Sequence, residues 1–247
     1  MNEPVNLLQN YLKKNNLDIF LVPRTDEYLS EYVASYAERL KWISDFSGSA
    51  GIAVIFKEKA AIFTDGRYSL QIEQQVNKRL FSIHDINNFY EWISKNFVTR
   101  STLCIDPWLF SKNTIDKITS KIKYNKIKIK YVEKNPIDIL WSEQPKKPSS
   151  KVFLQNLNYS GKNFSDKIKE MQIKLKENKC NYYFITSLDS IAWILNLRGS
   201  DIDYTPINLA YLILPASGKA MLFANLEKFD DSIISTLSLE IQILNFQ

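Results

Sequence analysis

The segment covering residues 48–68 constrains the fold more than any other part of the sequence. Gly51 precedes an apolar run over residues 52–56, a charged turn follows at residues 57–59, and a second apolar run covers residues 60–63. Two apolar runs of strand length around a short polar turn are typical of a buried β-hairpin. Three of the six glycines of the chain lie in this segment, and each is expected where a side chain would not fit.

The end of the second predicted strand carries Asp65-Gly66, followed by Arg67 and Tyr68. Asp-Gly is a turn dipeptide, so it places Arg67 and Tyr68 at the tip of the strand, ahead of a predicted helix over residues 69–76. These residues could be functional. They could also be structural, with Asp65 capping the helix and Arg67 pairing with a nearby carboxylate. The local pattern leaves both interpretations open.

Helices and strands alternate in the rest of the first half, which predicts an α/β structure. The predicted elements are a helix over 6–17, a strand over 19–22, short helices and loops over 28–44, a strand over 81–86, a helix over 89–97, a strand over 102–106, a helix from a Ser111 cap to residue 122, and a strand over 126–131. In the last strand three lysines alternate with apolar residues, which indicates a sheet edge whose lysines face water. His84 is interpreted as a partly exposed strand residue and not as a ligand.

A domain boundary is predicted at residues 135–150, where three prolines favour an extended connector. The domains are therefore expected to cover residues 1–134 and 151–247. The elements predicted for the second are a helix over 164–175, a strand over 182–186, a helix that begins near Asp189 and ends with Gly199 as its C-cap, and strands over 209–214 and 220–223.

Composition limits the class of protein. With 247 residues, of which 45% are hydrophobic and 24% are charged, the chain is typical of a soluble globular protein with two domains. The net charge of +5 comes without a nucleic-acid-binding motif, and no apolar run could span a bilayer, so neither nucleic acid nor membrane is expected as a partner. The amino terminus lacks a signal-peptide pattern, which favours the cytoplasm. Cys104 and Cys180 are both expected to be buried free thiols.

Two groups of residues strongly resemble the Xaa-Pro aminopeptidase, or aminopeptidase P, branch of the creatinase and prolidase family. The first group lies between residues 26 and 68, and the second lies between residues 187 and 202. The matching runs are Asp26-Glu27-Tyr28-Leu29-Ser30-Glu31-Tyr32, Glu38-Arg39-Leu40, Trp42-Ile43-Ser44, Phe46-Ser47-Gly48-Ser49-Ala50-Gly51, Thr64-Asp65-Gly66-Arg67-Tyr68, and the stretch from Ser187-Leu188-Asp189 to Arg198-Gly199-Ser200-Asp201-Ile202.

The resemblance implies two tandem creatinase/prolidase amino-terminal domains, each a mixed β-sheet flanked by helices with a ribonuclease H-like fold. It further implies that the second domain is truncated and that the catalytic domain, of the pita-bread type, lies outside this sequence. In the family, that domain holds two divalent metals, commonly manganese, and removes the N-terminal residue from peptides with proline second. The resemblance thus implies a homodimeric metallopeptidase parent and a chain that is inactive alone, with no catalytic residue, metal ligand or cofactor of its own.

Four polar residues of the first matched group are candidates for lining the substrate cleft or a subunit interface: Asp26, Arg39, Arg67 and Tyr68. They lie at predicted loops or strand ends, where functional side chains are common. This assignment follows from the resemblance and from their predicted positions together.

Two other functions remain open on the sequence. The chain could be a free-standing, non-enzymatic binding or assembly module that keeps two domains without the catalytic one. It could also be the front part of a related prolidase or amidinohydrolase, whose first domains share the architecture. The Gly-Ser-Ala-Gly pattern at residues 48–51 and the Asp-Gly-Arg-Tyr pattern at residues 65–68 favour aminopeptidase P.

Overall fold

A computed structural model describes residues 3–246 of the chain. The polypeptide divides into two compact units, and the division falls between Lys146 and Lys147. Both are α/β units built on a mixed β-sheet with flanking helices, as the sequence predicts.

The first unit begins with a helix that leads into the central strand of its sheet. Its strands are β1 (Ile19–Pro23), β2 (Ile52–Phe56), β3 (Ala60–Thr64), β4 (Phe81–Asp85), β5 (Thr102–Ile105) and β6 (Lys128–Tyr131). Its α-helices are α1 (Pro4–Lys14), α2 (Arg39–Ser44), α3 (Ser69–Gln75), α4 (Phe89–Asn96), α5 (Lys112–Ile122) and α6 (Pro136–Leu140). Short 3-10 turns connect several of them.

The six strands of the first sheet are ordered β4-β3-β2-β1-β5-β6. The pairs β1–β2 and β2–β3 are antiparallel, whereas β3–β4, β1–β5 and β5–β6 are parallel. The predicted hairpin is therefore confirmed as β2–β3, and β6 is the predicted lysine-bearing edge strand. Parallel neighbours require long crossover connections, and here α3 lies between β3 and β4, while α5 lies between β5 and β6.

Both faces of this sheet are buried, which explains why β1, β2 and β3 are apolar at every position except Thr64. On one face α1, α2, α3 and α6 pack over a cluster that includes Phe20 and Ile55. On the other face α4 and α5 pack over a cluster that includes Leu21 and Phe63. The helix–sheet–helix layering places the loops around the carboxyl end of β1 at one end of the unit.

The second unit is smaller and has fewer elements in the described part of the chain. Its strands are β7 (Phe153–Leu154), β8 (Tyr182–Ile185), β9 (Leu197–Arg198), β10 (Tyr211–Pro215), β11 (Ala220–Ala224) and β12 (Ile241–Asn245). Its α-helices are α7 (Leu157–Ser160), α8 (Phe164–Glu177), α9 (Leu188–Leu195) and α10 (Asp231–Leu237). The main sheet has the order β12-β11-β10-β8, while β7 and β9 form a separate antiparallel pair.

The end of α9 differs from the prediction. Gly199 was expected as its C-cap, but the helix ends at Leu195 and Asn196 adopts the left-handed conformation, with φ of 52°. Asparagine tolerates this conformation better than most residues, so it can replace glycine at a helix end. Gly199 instead permits a close approach, because a Cβ atom there would lie 1.8 Å from Oδ1 of Asn208.

The predicted extended connector over residues 135–150 is wrong in its first part. Pro136 begins helix α6, since proline fits the first turn of a helix, and the Asn135 side chain caps it by accepting a hydrogen bond from the N–H of Ile137. Ile137 is fully buried, so this segment packs into the first unit. The domain limits predicted at residues 1–134 and 151–247 stay a prediction.

The two cysteines have different environments. Both are free thiols, but only Cys104, on β5, is buried, and Cys180 is exposed. The expectation of a buried Cys180 is therefore wrong. Cys180 precedes β8, whose apolar composition suggested a buried strand. Three of the four residues of β8 are exposed instead.

A thiol reagent at pH 8 should modify one cysteine per folded chain. Burial raises the pKa of the Cys104 thiol to about 11, so only about one molecule in a thousand carries the reactive thiolate, and it is enclosed by the core. We expect rapid, single labelling of the native protein with Ellman's reagent, none in Cys180→Ser, and two modified thiols after denaturation. Rapid double labelling of the native chain would contradict the buried position of Cys104.

In the described part of the chain, no helix is both long and apolar enough to cross a membrane.

Candidate functional site

Asp26 lies in the loop that follows β1 and is completely buried. Its Oδ1 atom accepts hydrogen bonds from the N–H groups of Tyr28 and Ser30, at 3.0 and 2.9 Å. Burial raises the pKa of this carboxyl, although the two hydrogen bonds act in the opposite direction. The other oxygen, Oδ2, has no hydrogen-bond partner within residues 3–246. The side chain thus fixes the turn of the loop.

Arg39 lies in the first turn of α2 and is only 3% exposed. It forms a bidentate ion pair with Asp138 of α6, with Nε 2.7 Å from Oδ1 and Nη2 2.9 Å from Oδ2. Nη2 also approaches Oε1 of Glu27 at 3.5 Å. Burial would lower the pKa of Arg39, but the hydrogen bond and charge of Asp138 outweigh it and raise the pKa. This pair ties α2 to α6 across a long sequence separation.

Several other groups extend this ion pair into a network. Gln144 donates to Oδ1 of Asp138 and to the carbonyl of Tyr36, at 2.8 and 2.9 Å. The Tyr36 hydroxyl donates to Oε2 of Glu27 at 3.0 Å, and the Arg39 guanidinium lies 6.0 Å from the Tyr36 ring centroid. Nη1 of Arg39 is buried without a hydrogen-bond partner among the described residues.

A second, partly buried ion pair beside β1 was not among the sequence candidates. Nη2 of Arg24 donates to Oε1 of Glu38 at 3.1 Å. The remaining Nε and Nη1 atoms of Arg24 and Oε2 of Glu38 are buried without partners in residues 3–246. One weak sequence signal could have indicated this pair. Arg24 directly follows a wholly apolar strand, and Glu38 directly precedes α2.

Arg67 lies at the tip of β3, in the short turn over Gly66–Tyr68. Its Nε and Nη2 atoms bind the carboxylate of Asp65 at 2.7 to 3.1 Å, and the Asp65 side chain also accepts from the Arg67 N–H at 3.0 Å. The hydrogen bond from Arg67 lowers the pKa of Asp65. Both structural roles considered for these residues, a cap and an ion pair, are therefore present. The guanidinium remains largely exposed.

Tyr68 connects this turn to the glycine-rich segment before β2. Its hydroxyl lies 2.7 Å from the hydroxyl of Ser49, and its ring packs edge-on against Phe46 at 5.9 Å. Phe46 is fully buried and lies against Gly48, where a Cβ atom would be 2.2 Å from the ring. This close approach is the reason that the segment needs glycine. The Arg67 guanidinium lies 5.3 Å from the Tyr68 ring centroid, an arrangement that favours a cation–π contact.

The four candidates thus form two pairs that differ in exposure. Arg67 and Tyr68 contact each other at the surface, whereas Asp26 and Arg39 are buried, and both adjoin Glu27 in sequence or in space. The loop after β1 also brings the charge of Glu31 close enough to Arg67 to raise its pKa further, after the larger effect of Asp65.

No group of three or more histidine, cysteine, aspartate or glutamate residues in the described part of the chain could hold a metal ion. In the polar network around Arg39, Glu27 and Asp138 each contact that arginine and Glu38 contacts Arg24, so these carboxylates already bind cationic side chains of the protein. Residues 3–246 therefore do not fit a di-metal centre.

Comparison with known proteins places these features in a family. Residues 4–134 and residues 143–247 each match a family model described as the creatinase/prolidase N-terminal domain. The chain is 34% identical over 244 residues to a probable Xaa-Pro aminopeptidase P of Coprinopsis cinerea, covering 97% of this chain and 39% of that protein. A probable Xaa-Pro aminopeptidase P of Pyrenophora teres is 36% identical, with 97% of this chain and 37% of that protein covered.

A solved structure of an X-prolyl aminopeptidase also matches most of the chain. The X-prolyl aminopeptidase of Caenorhabditis elegans, described as a cytosolic enzyme with a di-nuclear active site, superimposes with a TM-score of 0.88 at 28% identity. The match covers 93% of this chain and 38% of that protein, so the chain spans less than two fifths of the length of these relatives. The chain belongs to the creatinase/prolidase family, and it corresponds to the amino-terminal part of Xaa-Pro aminopeptidase-like proteins.

Proposed function

We propose that this chain forms the non-catalytic amino-terminal domains of a metal-dependent Xaa-Pro aminopeptidase, which removes the N-terminal residue from peptides with proline second. The observation that carries the proposal is the match of both units to relatives named for this activity, over 97% of the chain. A catalytic domain in the remaining length of such a protein supplies the reaction. The chain alone is expected to be inactive.

The metals belong to that catalytic domain in this proposal. The C. elegans relative has a di-nuclear active site, while the residues described here offer no group that would hold such ions. The resemblance in the sequence makes manganese the expected metal. A pair of divalent ions can activate a bridging water and polarise a peptide carbonyl, so it supplies the hydrolytic chemistry.

The contribution of the present chain is to shape the substrate cleft and the oligomer. Arg67 and Tyr68 are exposed or half-buried at a strand tip, so they can reach a peptide or a neighbouring domain. Asp26 and Arg39 are buried and act as positioning residues, because they hold the loop after β1 and helix α2 in place. A homodimer in the cytoplasm completes the proposal, and the cytosolic C. elegans relative supports the location.

The test uses the complete product of the gene from which this sequence derives. We expect hydrolysis of a peptide with proline second, loss of activity on treatment with a chelator, and return of the activity on adding Mn²⁺.

Arg67→Ala should lower kcat/KM about 10-fold, because small losses of substrate positioning reduce rates strongly. Arg79→Ala, which removes another exposed arginine from the first unit, serves as the matched control.

Unchanged kinetics in Arg67→Ala and Tyr68→Phe would show that these residues do not line the cleft. This result would not contradict the proposed peptidase activity. A complete product without metal-dependent peptidase activity would contradict the main proposal. That outcome would favour a non-enzymatic binding or assembly module.

A further inference from the structure

A pocket of about 330 Å³ lies beside the hairpin turn that joins β2 to β3. Its lining comes from the end of β2, the first residues of β3 and β4, the loop before β4, and α4. The pocket thus lies where β3 and β4 begin, whereas the Arg67 turn follows the end of β3. Its volume falls at the lower end of the range for ligand pockets, about 300–1,000 Å³, and indicates a small ligand. It is called the basic pocket below.

The pairing of β3 with β4 creates the basic pocket. The two strands are parallel, and Ala61 pairs with Ser82. The segments that precede the strands therefore lie side by side, which brings Lys59 close to the loop that contains residues 78–79. Ala61 and Ser82 both line the pocket, together with Trp92 of α4. Because these two strand residues have small side chains, they leave the space that the pocket occupies.

The basic pocket has more positive than negative charge. Its charged lining residues are Glu58, Lys59, Lys78 and Arg79. Glu58 pairs with Lys13 at 2.8 Å, and Lys78 pairs with Glu73, so these two side chains already have partners of opposite charge. Lys59 and Arg79 form no ion pair within residues 3–246. The protein therefore leaves two positive charges of the pocket without a balancing carboxylate.

The Lys59 ammonium group has a defined position before any ligand binds. Its Nζ atom lies 4.8 Å from the centroid of the Phe56 ring, which is a cation–π contact. The Phe56 ring is buried and packs against Trp92 and Phe97, with centroid distances of 6.1 and 5.8 Å. The Phe56 N–H also donates to the Lys59 carbonyl at 2.9 Å and closes the turn. A cation that is already held in place loses less conformational entropy when an anion binds.

Ser82 and Trp92 supply the basic pocket with a hydroxyl group and an aromatic ring. The Ser82 hydroxyl lies 2.9 Å from Nε2 of His84. When His84 carries its proton on Nε2, it donates to the Ser82 oxygen, and the Ser82 proton is available to an acceptor in the pocket. The Trp92 ring is partly exposed and contacts Phe63 and His84, with centroid distances of 5.2 and 5.4 Å. The pocket thus combines two cations, a hydroxyl group and an apolar wall.

We propose that the basic pocket binds a small phosphate monoester that carries an aromatic ring, of the size of a mononucleotide. A phosphate monoester has a charge of about −1.5 to −2 at pH 7, which matches the two cations that lack a carboxylate partner. Arg79 can bind two phosphate oxygens through its planar guanidinium group, and Lys59 supplies the second positive charge. The aromatic ring of the ligand packs against Trp92, because aromatic pairs are favourable beyond the area that they bury.

This inference goes beyond the proposed function, because it concerns a ligand of the first unit and not the peptide. Its test is a titration of the 247-residue chain, in which peptidase activity plays no part. The probes are AMP, inorganic phosphate and adenosine, and the signal is the NMR resonance of the Trp92 indole N–H, assigned with Trp92→Phe. AMP should bind at least about 10-fold more tightly than phosphate or adenosine, because charge and ring packing both contribute to its affinity.

A charge reversal tests the contribution of Lys59. Lys59→Glu should lower the affinity for AMP about 10-fold, because it removes an attraction and adds a repulsion. Lys117→Glu is the matched control, since it changes an exposed lysine of α5 outside the pocket and should leave the affinity unchanged. Ser82→Ala removes only a hydroxyl group and should lower the affinity about 5-fold, which provides a second measurement if Lys59→Glu does not fold.

Phenyl phosphate separates two sources of the same ligand chemistry. Tighter binding of AMP than of phenyl phosphate would identify a nucleotide as the ligand, and binding of phenyl phosphate at least as tight would identify aryl phosphates in general. Three results would overturn the proposal: no change of the Trp92 signal with AMP, equal affinities for AMP and inorganic phosphate, or equal affinities of Lys59→Glu and Lys117→Glu for AMP. None of them bears on the proposed peptidase activity, which is measured on the complete gene product.

Discussion

Asp201→Ala is expected to lower the free energy of unfolding of the second unit by about 3–5 kcal/mol. Asp201 is fully buried and pairs with Lys228, which is 3% exposed, so alanine leaves a buried ammonium group without its opposite charge. The substitution also removes the acceptor for the Ser150 hydroxyl and for the Leu209 N–H, both at 2.7 Å. Since whole domains are stable by only about 5–15 kcal/mol, this is a large share of the total.

Urea unfolding followed by hydrogen exchange in peptides from residues 147–247 would measure this loss separately for the second unit. Asp203→Ala is the matched control, because it removes an exposed carboxylate from the same loop. Asp201→Asn retains one of the two acceptor oxygens and removes the charge, so its effect should lie between the two. Equal stability of Asp201→Ala and Asp203→Ala would show that Lys228 reaches water.

Arg39→Ala is expected to destabilise the first unit by about 2–4 kcal/mol. The arginine is buried, and its removal breaks the bidentate pair that joins α2 to α6. The effect should be below that of a completely buried pair, because Asp138 keeps 33% of its side chain exposed and can be solvated after the change. The loss of packing by the arginine stem adds to the cost.

Thermal and urea unfolding of the first unit would test this second prediction. Arg67→Ala is the control, because that arginine also forms a bidentate pair but lies in solvent, so its removal should leave the unfolding midpoint unchanged. Arg39→Met combined with Asp138→Leu should recover part of the stability, since the Asp138 carboxylate is removed together with its arginine partner. An Arg39→Ala protein as stable as Arg67→Ala would mean that the α2–α6 pair contributes little.

The elements that the sequence predicts well are those whose signals are local. The hairpin β2–β3 follows from two apolar runs around Lys57-Glu58-Lys59, and the capping role of Ser111 follows from its place before α5. The pairing of Arg67 with a nearby carboxylate was one of two open interpretations, and the structure identifies that carboxylate as Asp65. In each case a few residues close together in the sequence determine the local structure.

The wrong or missing predictions concern features that depend on residues far apart in the sequence. Cys180 and β8 looked buried because a strand of apolar residues usually has neighbours on both sides, and sequence pattern does not say whether a neighbour is present. The α2–α6 ion pair joins Arg39 to Asp138 through the tertiary fold, so no local pattern could reveal it. At the end of α9, two residues could adopt the left-handed conformation, and Asn196 did so before Gly199.

The parallel pairing of β1 with β5 has a consequence for the order of folding during synthesis. Strands β1 to β4 are complete once Asp85 has left the ribosome, but β5 begins only at Thr102. At about 5–20 residues per second, β1 then waits on the order of a second for its partner. In that interval the nascent first unit exposes the backbone N–H and C=O groups on the unpaired side of its central strand. The side of β1 that later pairs with β5 therefore needs protection from aggregation while the chain is being made.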